Sequence, residues 1–262
     1  MSTRTPSSTS SGPPWVLIGV VAVVAAAAIM ATVIAVTGGD SSAPPEYAEA
    51  PGEPGQIASV AVDGDVLPPH PGNGGEDVAV TQGLTAPPVR GQNFEGESMT
   101  ITPGDGTPKM MVFLAHWCPH CQDEVPVIQD WLDDGNLPDG VEMVAVSTAV
   151  GRVSGNYPPS EWLEGEGWTV PTMVDQNEGD GSAGLVARAY GLSGFPYFVA
   201  VDGNGTVVFR GSGELSQEEL SSLAGALAAG GSDEDLSDIE SDESTELDED
   251  GNPVTSTTAA PE

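Results

Sequence analysis

The sequence predicts an α/β fold in which helices flank a mixed central sheet. Three observations predict it. Met110-Met111-Val112-Phe113-Leu114-Ala115 is a continuous apolar run of strand length, the pattern of a strand buried on both faces. The segment after it, 119–131, carries Val125, Ile128, Trp131 and Leu132 as one apolar stripe at helical spacing. Strand patterns then alternate with helix patterns, ending in helix, hairpin, helix, an order that belongs to chains with a mixed sheet.

The elements follow in order. Residues 1–14 are rich in Ser, Thr and Pro and read as a cytoplasmic N-terminal segment. Residues 15–37 contain no charge and are dominated by Val, Ala and Ile. As a helix they would measure about 34 Å, enough to cross a hydrocarbon core of about 30 Å. Trp15 suits one membrane interface. Arg4 precedes the segment and Asp40, Glu46, Glu49 and Glu53 follow it, which orients the amino terminus inside and the bulk of the chain outside. A cleaved signal peptide is the rival reading. Its apolar region would be about 7–15 residues, shorter than this one, and Ile34-Ala35-Val36-Thr37 is a poor cleavage context. The expectation is a single-pass anchor in the cell membrane with an extracytoplasmic domain.

Residues 38–55 read as a flexible linker with Gly38-Gly39 and repeated Pro-Glu, and 56–230 as the domain. Within the domain, 57–62 reads as a short strand and 68–76 as a loop in which His70 is solvated. Ala86-Pro87-Pro88 leads through a turn toward a strand at 98–102. After the strand at 110–115, Cys118 is the expected N-cap of the helix and Pro119 its first residue, where a missing N–H costs nothing. Pro126 falls inside this helix and is expected to kink it. Then come a strand at 141–147, a short helix at 160–164, an extended segment at 168–174, and a helix at 182–190 stopped by Gly191. Strands at 197–201 and 207–209 join across Asp202-Gly203-Asn204-Gly205, a hairpin turn that also accounts for the Asn204-Gly205-Thr206 sequon. Ser216 and Glu219 form a capping box for a last helix at 216–229. Residues 231–262 alternate Ser with Asp and Glu, carry few apolar side chains, and read as a disordered acidic tail.

The net charge is -34, from 40 acidic and 6 basic residues. The tail holds 12 acidic and no basic residues, while 38–230 holds 28 acidic against 5 basic, a charge of -23. Such a surface repels nucleic acid and anionic headgroups, which excludes nucleic acid as a partner.

Chemistry concentrates in six residues, His116-Trp117-Cys118-Pro119-His120-Cys121. The chain has two cysteines and both are here. Two thiols one helical turn apart at a strand-to-helix junction can join and part as a disulfide. The helix start supplies unpaired N–H groups and the positive end of the dipole, which favour a thiolate at Cys118. Cys118 is therefore the expected exposed nucleophile and Cys121 the resolver. His120 stands between the sulfurs as the residue that tunes the thiolate. His116 reads equally as tuning or as strand-end packing, and Trp117 as a lid and docking surface for partners. A metal site would need His116, Cys118, His120 and Cys121 to converge, which consecutive residues at such a corner cannot do, so no metal is expected. Outside the cytosol, a lone CxxC reads as a working pair rather than a staple.

A second piece is Ser193-Gly194-Phe195-Pro196-Tyr197-Phe198, with a Pro directly before a strand. Together with Ala115-His116-Trp117-Cys118-Pro119-His120-Cys121, with Pro126 eight residues after the first Cys, and with Ala86-Pro87-Pro88, it makes residues 56–230 resemble the thioredoxin superfamily, most closely its membrane-anchored TlpA/ResA-like thiol-disulfide oxidoreductases. The resemblance implies a thioredoxin-like fold with a central sheet of four or five strands, a cis Pro196 beside Cys118, a Phe195 backbone that pairs with an incoming substrate strand, and no cofactor. It implies exported protein thiols and disulfides as partners, with a membrane redox partner left open. Two departures stand out. Val112 occupies the position where many such proteins carry a buried carboxylate, so the base that serves Cys121 is open between Glu124 and a carboxylate within 142–166. The Pro119-His120 spacer resembles the oxidising DsbA type, within a chain otherwise similar to reducing types. The expected activity is disulfide exchange, oxidising or isomerising rather than reducing; a dedicated reductase, as in cytochrome c maturation, and a non-enzymatic metal-handling or adaptor module are the alternatives. Cell fractionation tests the anchor. The chain should sediment with membranes and be released by detergent, and full solubility after high-speed centrifugation would remove the anchor.

Overall fold

Strand β4, Lys109–Leu114, is buried at all six positions and forms the middle of the sheet. In the computed structural model, residues 55–72, 83–152, 154–230, 245–246 and 252 are described, and all belong to the unit Tyr47–Glu262. In chain order the strands are β1 (Ala61–Val62), β2 (Val89–Gln92), β3 (Ser98–Ile101), β4, β5 (Glu142–Ser147), β6 (Thr172–Val174), β7 (Gly194–Phe195), β8 (Tyr197–Val201), β9 (Val207–Ser212) and β10 (Thr245–Glu246). The helices are α1 (Pro119–Asp133), α2 (Pro159–Gly165), α3 (Leu185–Ala189) and α4 (Gln217–Ala228).

One sheet runs β1-β2-β6-β5-β4-β8-β9, with β3 added to β2. The β4–β5 and β5–β6 pairs are parallel; the β4–β8 and β8–β9 pairs are antiparallel. The mixed sheet and the order of its central elements agree with the sequence reading. Its width does not. Eight strands pair where four or five are expected, because β2 joins β6 through Gln92 and Val174 and carries β1 and β3 with it. β2 went unforeseen because Val-Arg-Gly-Gln has neither an apolar run nor strong alternation. Only Ala61–Val62 of the strand expected at 57–62 forms a ladder.

The apolar stripe of α1 faces the core. Val125, Ile128 and Trp131 are buried and Leu132 packs half-buried at the margin. The Trp131 Nε1–H donates to Ser221 Oγ at 2.8 Å, tying α1 to α4. Helix α4 starts with the expected capping box, Glu219 N–H donating to Ser216 Oγ and Ser216 N–H to Glu219 Oε2. Gly191 ends α3 at φ +76, and a Cβ there would lie 2.3 Å from the Pro68 carbonyl oxygen, so both conformation and space demand glycine.

His70 corrects the sequence reading. It is buried, with its ring 5.9 Å from that of Tyr197, and its Nδ1 accepts the Gly72 N–H. Burial first, then the neighbouring Arg210 charge, lowers its pKa to about 4. The loop packs because the His70 N–H reaches the Gly191 carbonyl and the Arg210 guanidinium the Pro68 carbonyl. The anchor expected at 15–37 lies outside the described residues; among those, no helix is long and apolar enough to cross a membrane. Within the tail, Thr245–Glu246 form β10, and apart from these and Asn252 its residues lie outside those described.

Asp175 follows β6 and is fully buried. Its carboxylate accepts the Thr148 hydroxyl and the N–H groups of Gln176, Val186 and Ala187, so it holds the end of β5 to the start of α3. A Cβ on Gly184 would lie 2.4 Å from the Asp175 carboxyl carbon. Gly184→Ala is therefore expected to destabilise the chain by about 1–3 kcal/mol, read as a lower midpoint in urea with an unchanged slope. An unchanged midpoint would show that this carboxylate can move aside.

Candidate active site

The site begins where β4 ends. Cys118 has extended backbone angles, φ -76 and ψ 122, and caps α1, with Pro119 as first helical residue. No side chain caps this helix start and its first turn has no acidic residue, so no carboxylate of that turn offsets the positive end of the dipole next to Cys118. Cys121 lies one turn on, and the two thiols are hydrogen-bonded to each other. Neither is in a disulfide and both are fully buried. The burial of Cys118 corrects the expectation of an exposed nucleophile: its Sγ sits 3.9 Å from the Phe195 carbonyl oxygen, on the far side of the sequence.

That carbonyl belongs to β7. The Phe195–Pro196 peptide is cis, in line with the family resemblance. The Trp117 ring meets the Phe195 ring edge-on, with centroids 5.8 Å apart, and its Nε1–H donates to the Ala149 carbonyl at 2.6 Å. The residues expected to exchange disulfides or meet the client, Trp117, Cys118, His120, Cys121, Phe195 and Pro196, thus lie at one end of the central strands.

The two motif histidines have different partners. His116 is buried. Its Nδ1–H donates to the Gly155 carbonyl at 2.7 Å and its Nε2 accepts the Gly151 N–H at 3.1 Å. An imidazole that donates at one nitrogen and accepts at the other is neutral. Burial keeps its pKa below the usual value. His116 therefore staples the loop after β5, which settles the open choice in favour of packing. His120 instead reaches Glu214, with Nδ1 2.8 Å from Oε1. Among the described residues no three His, Cys, Asp or Glu side chains are grouped to hold a metal.

Glu124 sits one turn beyond Cys121 and is buried. Its Oε2 accepts the Leu215 N–H at 3.0 Å, and its Oε1 has no partner. Burial, then the charges of Glu214 and Glu219, push its pKa up to about 8 despite that hydrogen bond. Cys121 is also held well above the usual thiol value, by burial first, then by the hydrogen bond its own S–H donates to Cys118 and by the charge there; the Ala115 N–H, donating to its sulfur at 3.4 Å, opposes the rise, and the Glu124 charge adds least. Of the carboxylates left open as partner to Cys121, Glu124 is thus the one beside it. The signal was its place on the apolar face of α1, next to Val125.

The segment joining β9 to α4 touches three parts of the site. The Gly213 N–H donates to the Pro196 carbonyl at 2.8 Å, Glu214 holds His120, and the Leu215 N–H holds Glu124. Glu214 carries no sequence mark, because nothing in its neighbourhood points to a histidine 94 residues earlier.

The folded chain keeps a proton on Glu124 that the unfolded chain releases above its ordinary pKa of 4.5. This contribution to stability is full below pH 4.5 and is lost as pH rises through about 8. Glu124→Gln is expected to remove it, leaving the variant more stable than the parent at pH 8 by on the order of 2–5 kcal/mol relative to their difference at low pH. Thermal melts across this range test it, and parallel pH profiles for the two chains would refute it.

Residues 96–228 match the thioredoxin-like domain family. The chain is 29% identical over 145 residues to thiol-disulfide oxidoreductase ResA of Geobacillus thermodenitrificans, a match covering 55% of this chain and 77% of that one. It is 24% identical over 129 residues to sporulation thiol-disulfide oxidoreductase A of Bacillus subtilis, covering 49% and 73%. Among solved structures it is similar to StoA from Bacillus subtilis, at 22% identity and a TM-score of 0.43, over 54% of this chain and 98% of that one. With a family match across half its length and two homologous relatives that are both thiol-disulfide oxidoreductases, this chain belongs to the thioredoxin-like family.

Proposed function

We propose that the chain is a membrane-anchored thiol-disulfide oxidoreductase whose domain, residues 56–230, works outside the cytoplasm on exported protein thiols and disulfides. One observation carries the reading: two hydrogen-bonded thiols stand at a helix N-terminus with a buried, partly unpartnered carboxyl one turn away. In the reducing direction the Cys118 thiolate attacks a client disulfide, forms a mixed disulfide and releases one client thiolate. Cys121 then loses its proton to Glu124 and attacks the Cys118 sulfur. The second client thiolate leaves and the Cys118–Cys121 disulfide remains. The oxidising direction is the same sequence reversed, with two electrons moving from client to enzyme.

Each neighbour has a task in this scheme. His120, between the two cysteines in sequence and held by Glu214, is the residue that tunes the thiolate. Phe195 offers a backbone edge to the client strand, Pro196, whose carbonyl is held by the Gly213 N–H, fixes the end of that edge, and Trp117 gives the client an aromatic wall. Glu124 with a pKa of about 8 is matched to proton transfer near neutrality.

The Cys118-Pro119-His120-Cys121 spacer and the helix start favour the reduced form of Cys118, hence an oxidising couple and a disulfide donor or isomerase. A dedicated reductase is the second reading, and the Cys121 thiol favours it. Held well above its usual value, by burial first, it denies the reduced pair part of its stabilisation as thiolate.

Equilibration with glutathione buffers separates the two. A potential near about -120 mV marks a donor and one near about -270 mV a reductase. Cys118→Ser is expected to abolish insulin reduction, and Cys121→Ser to accumulate mixed disulfides. Unchanged activity in both variants would refute the enzyme reading.

A further inference from the structure

The backbone edge at Gly194–Phe195 is already occupied. Strand β7 takes no part in the eight-stranded sheet, and its partner is β10 from the C-terminal tail. The pair is antiparallel, with Thr245 opposite Phe195 and Glu246 opposite Gly194. A second contact follows on the same segment: the Ser182 hydroxyl donates to Asn252 Oδ1 at 3.0 Å, in the loop that precedes α3. Under this arrangement Cys118, whose Sγ faces the Phe195 carbonyl, has no exposed surface.

A strand-pairing edge recognises backbone before side chain, so any extended segment that reaches it competes for the same N–H and C=O groups. A short ladder is weak when two separate molecules form it. Within one chain it is favoured by tethering, which keeps the segment at high effective concentration. The ladder here is two residues long, short enough for a longer client strand to displace.

We propose that the segment centred on Thr245–Glu246 is a built-in ligand of the Gly194–Phe195 edge, which clients must displace to reach Cys118. The proposal rests on the reading of that edge as the client-binding site. It assigns the acidic tail a role in selection: clients that pair well along the edge gain access, and short or poorly extended thiol compounds do not.

The full-length double variant Thr245→Pro/Glu246→Pro tests it. Proline removes the N–H at both positions, so the ladder is lost whichever of the two donates. Three quantities are read on parent and variant: exchange kinetics with an extended disulfide-linked peptide, the alkylation rate of Cys118 by iodoacetamide, and deuterium uptake at residues 194–195. The variant should show a KM for the peptide lower by on the order of 10-fold with little change in kcat, faster alkylation, and faster deuterium uptake at 194–195. A synthetic peptide of residues 240–252 should restore slow alkylation. Intact exchange with unchanged KM, alkylation and deuterium uptake overturns the built-in ligand and leaves the enzyme reading standing. Absence of exchange in both chains overturns the enzyme reading, and with it the competition proposed here.

Discussion

The site depends on the register of one strand. β4 lies between β5, parallel to it, and β8, antiparallel to it, and Phe113 pairs with Tyr197. That pair places the end of β4 next to Pro196. The motif that follows β4 and the proline that precedes β8 are brought together by backbone hydrogen bonds, although 77 residues separate Cys118 from Phe195. A slip of one residue in this pairing would exchange the two packed faces of the strand as well as separate the two halves. Burial of all six β4 residues and all five of β8 makes such a slip costly.

Around that junction the chain buries ionisable groups. The domain is strongly acidic, yet the acids that matter are few and fixed in place. Asp175 is satisfied by hydrogen bonds to the Thr148 hydroxyl and to the N–H groups of Gln176, Val186 and Ala187 and serves as a structural tie. Glu124 receives the Leu215 N–H on one oxygen and nothing on the other. The contrast separates a carboxylate that holds the fold from a carboxyl that can exchange a proton. The segment 213–215 then links this carboxyl, His120 and the Pro196 carbonyl, so the chemistry is held by the start of α4 as well as by α1.

The loops near the site are held from within the same region. His116 fastens the loop after β5 through Gly151 and Gly155, and the Trp117 indole fastens Ala149. Two residues of the hexapeptide therefore build the wall beside the thiols, which explains why His116 is neutral and buried rather than aimed at a sulfur. Beyond Pro196, His70 packs on Tyr197, and the His70 N–H and the Arg210 guanidinium hold the Gly191 and Pro68 carbonyls.

Local signals in the sequence determined the helix start at Cys118 and Pro119, the capping box at Ser216 and Glu219, the hairpin at 202–205 and the buried run of β4. Each depends on neighbours within a few residues, where periodicity and steric preference act directly. The pair of thiols was legible for the same reason, whereas the place of the proline loop beside Cys118 came from the family resemblance. Only the tertiary structure decided which carboxyl sits by Cys121, that Glu214 holds His120, that His70 is buried, that β2 widens the sheet, and that Thr245–Glu246 lie along Gly194–Phe195. Those outcomes depend on contacts between distant segments, and burial and charge at such contacts are set by packing, which no local pattern of residues encodes.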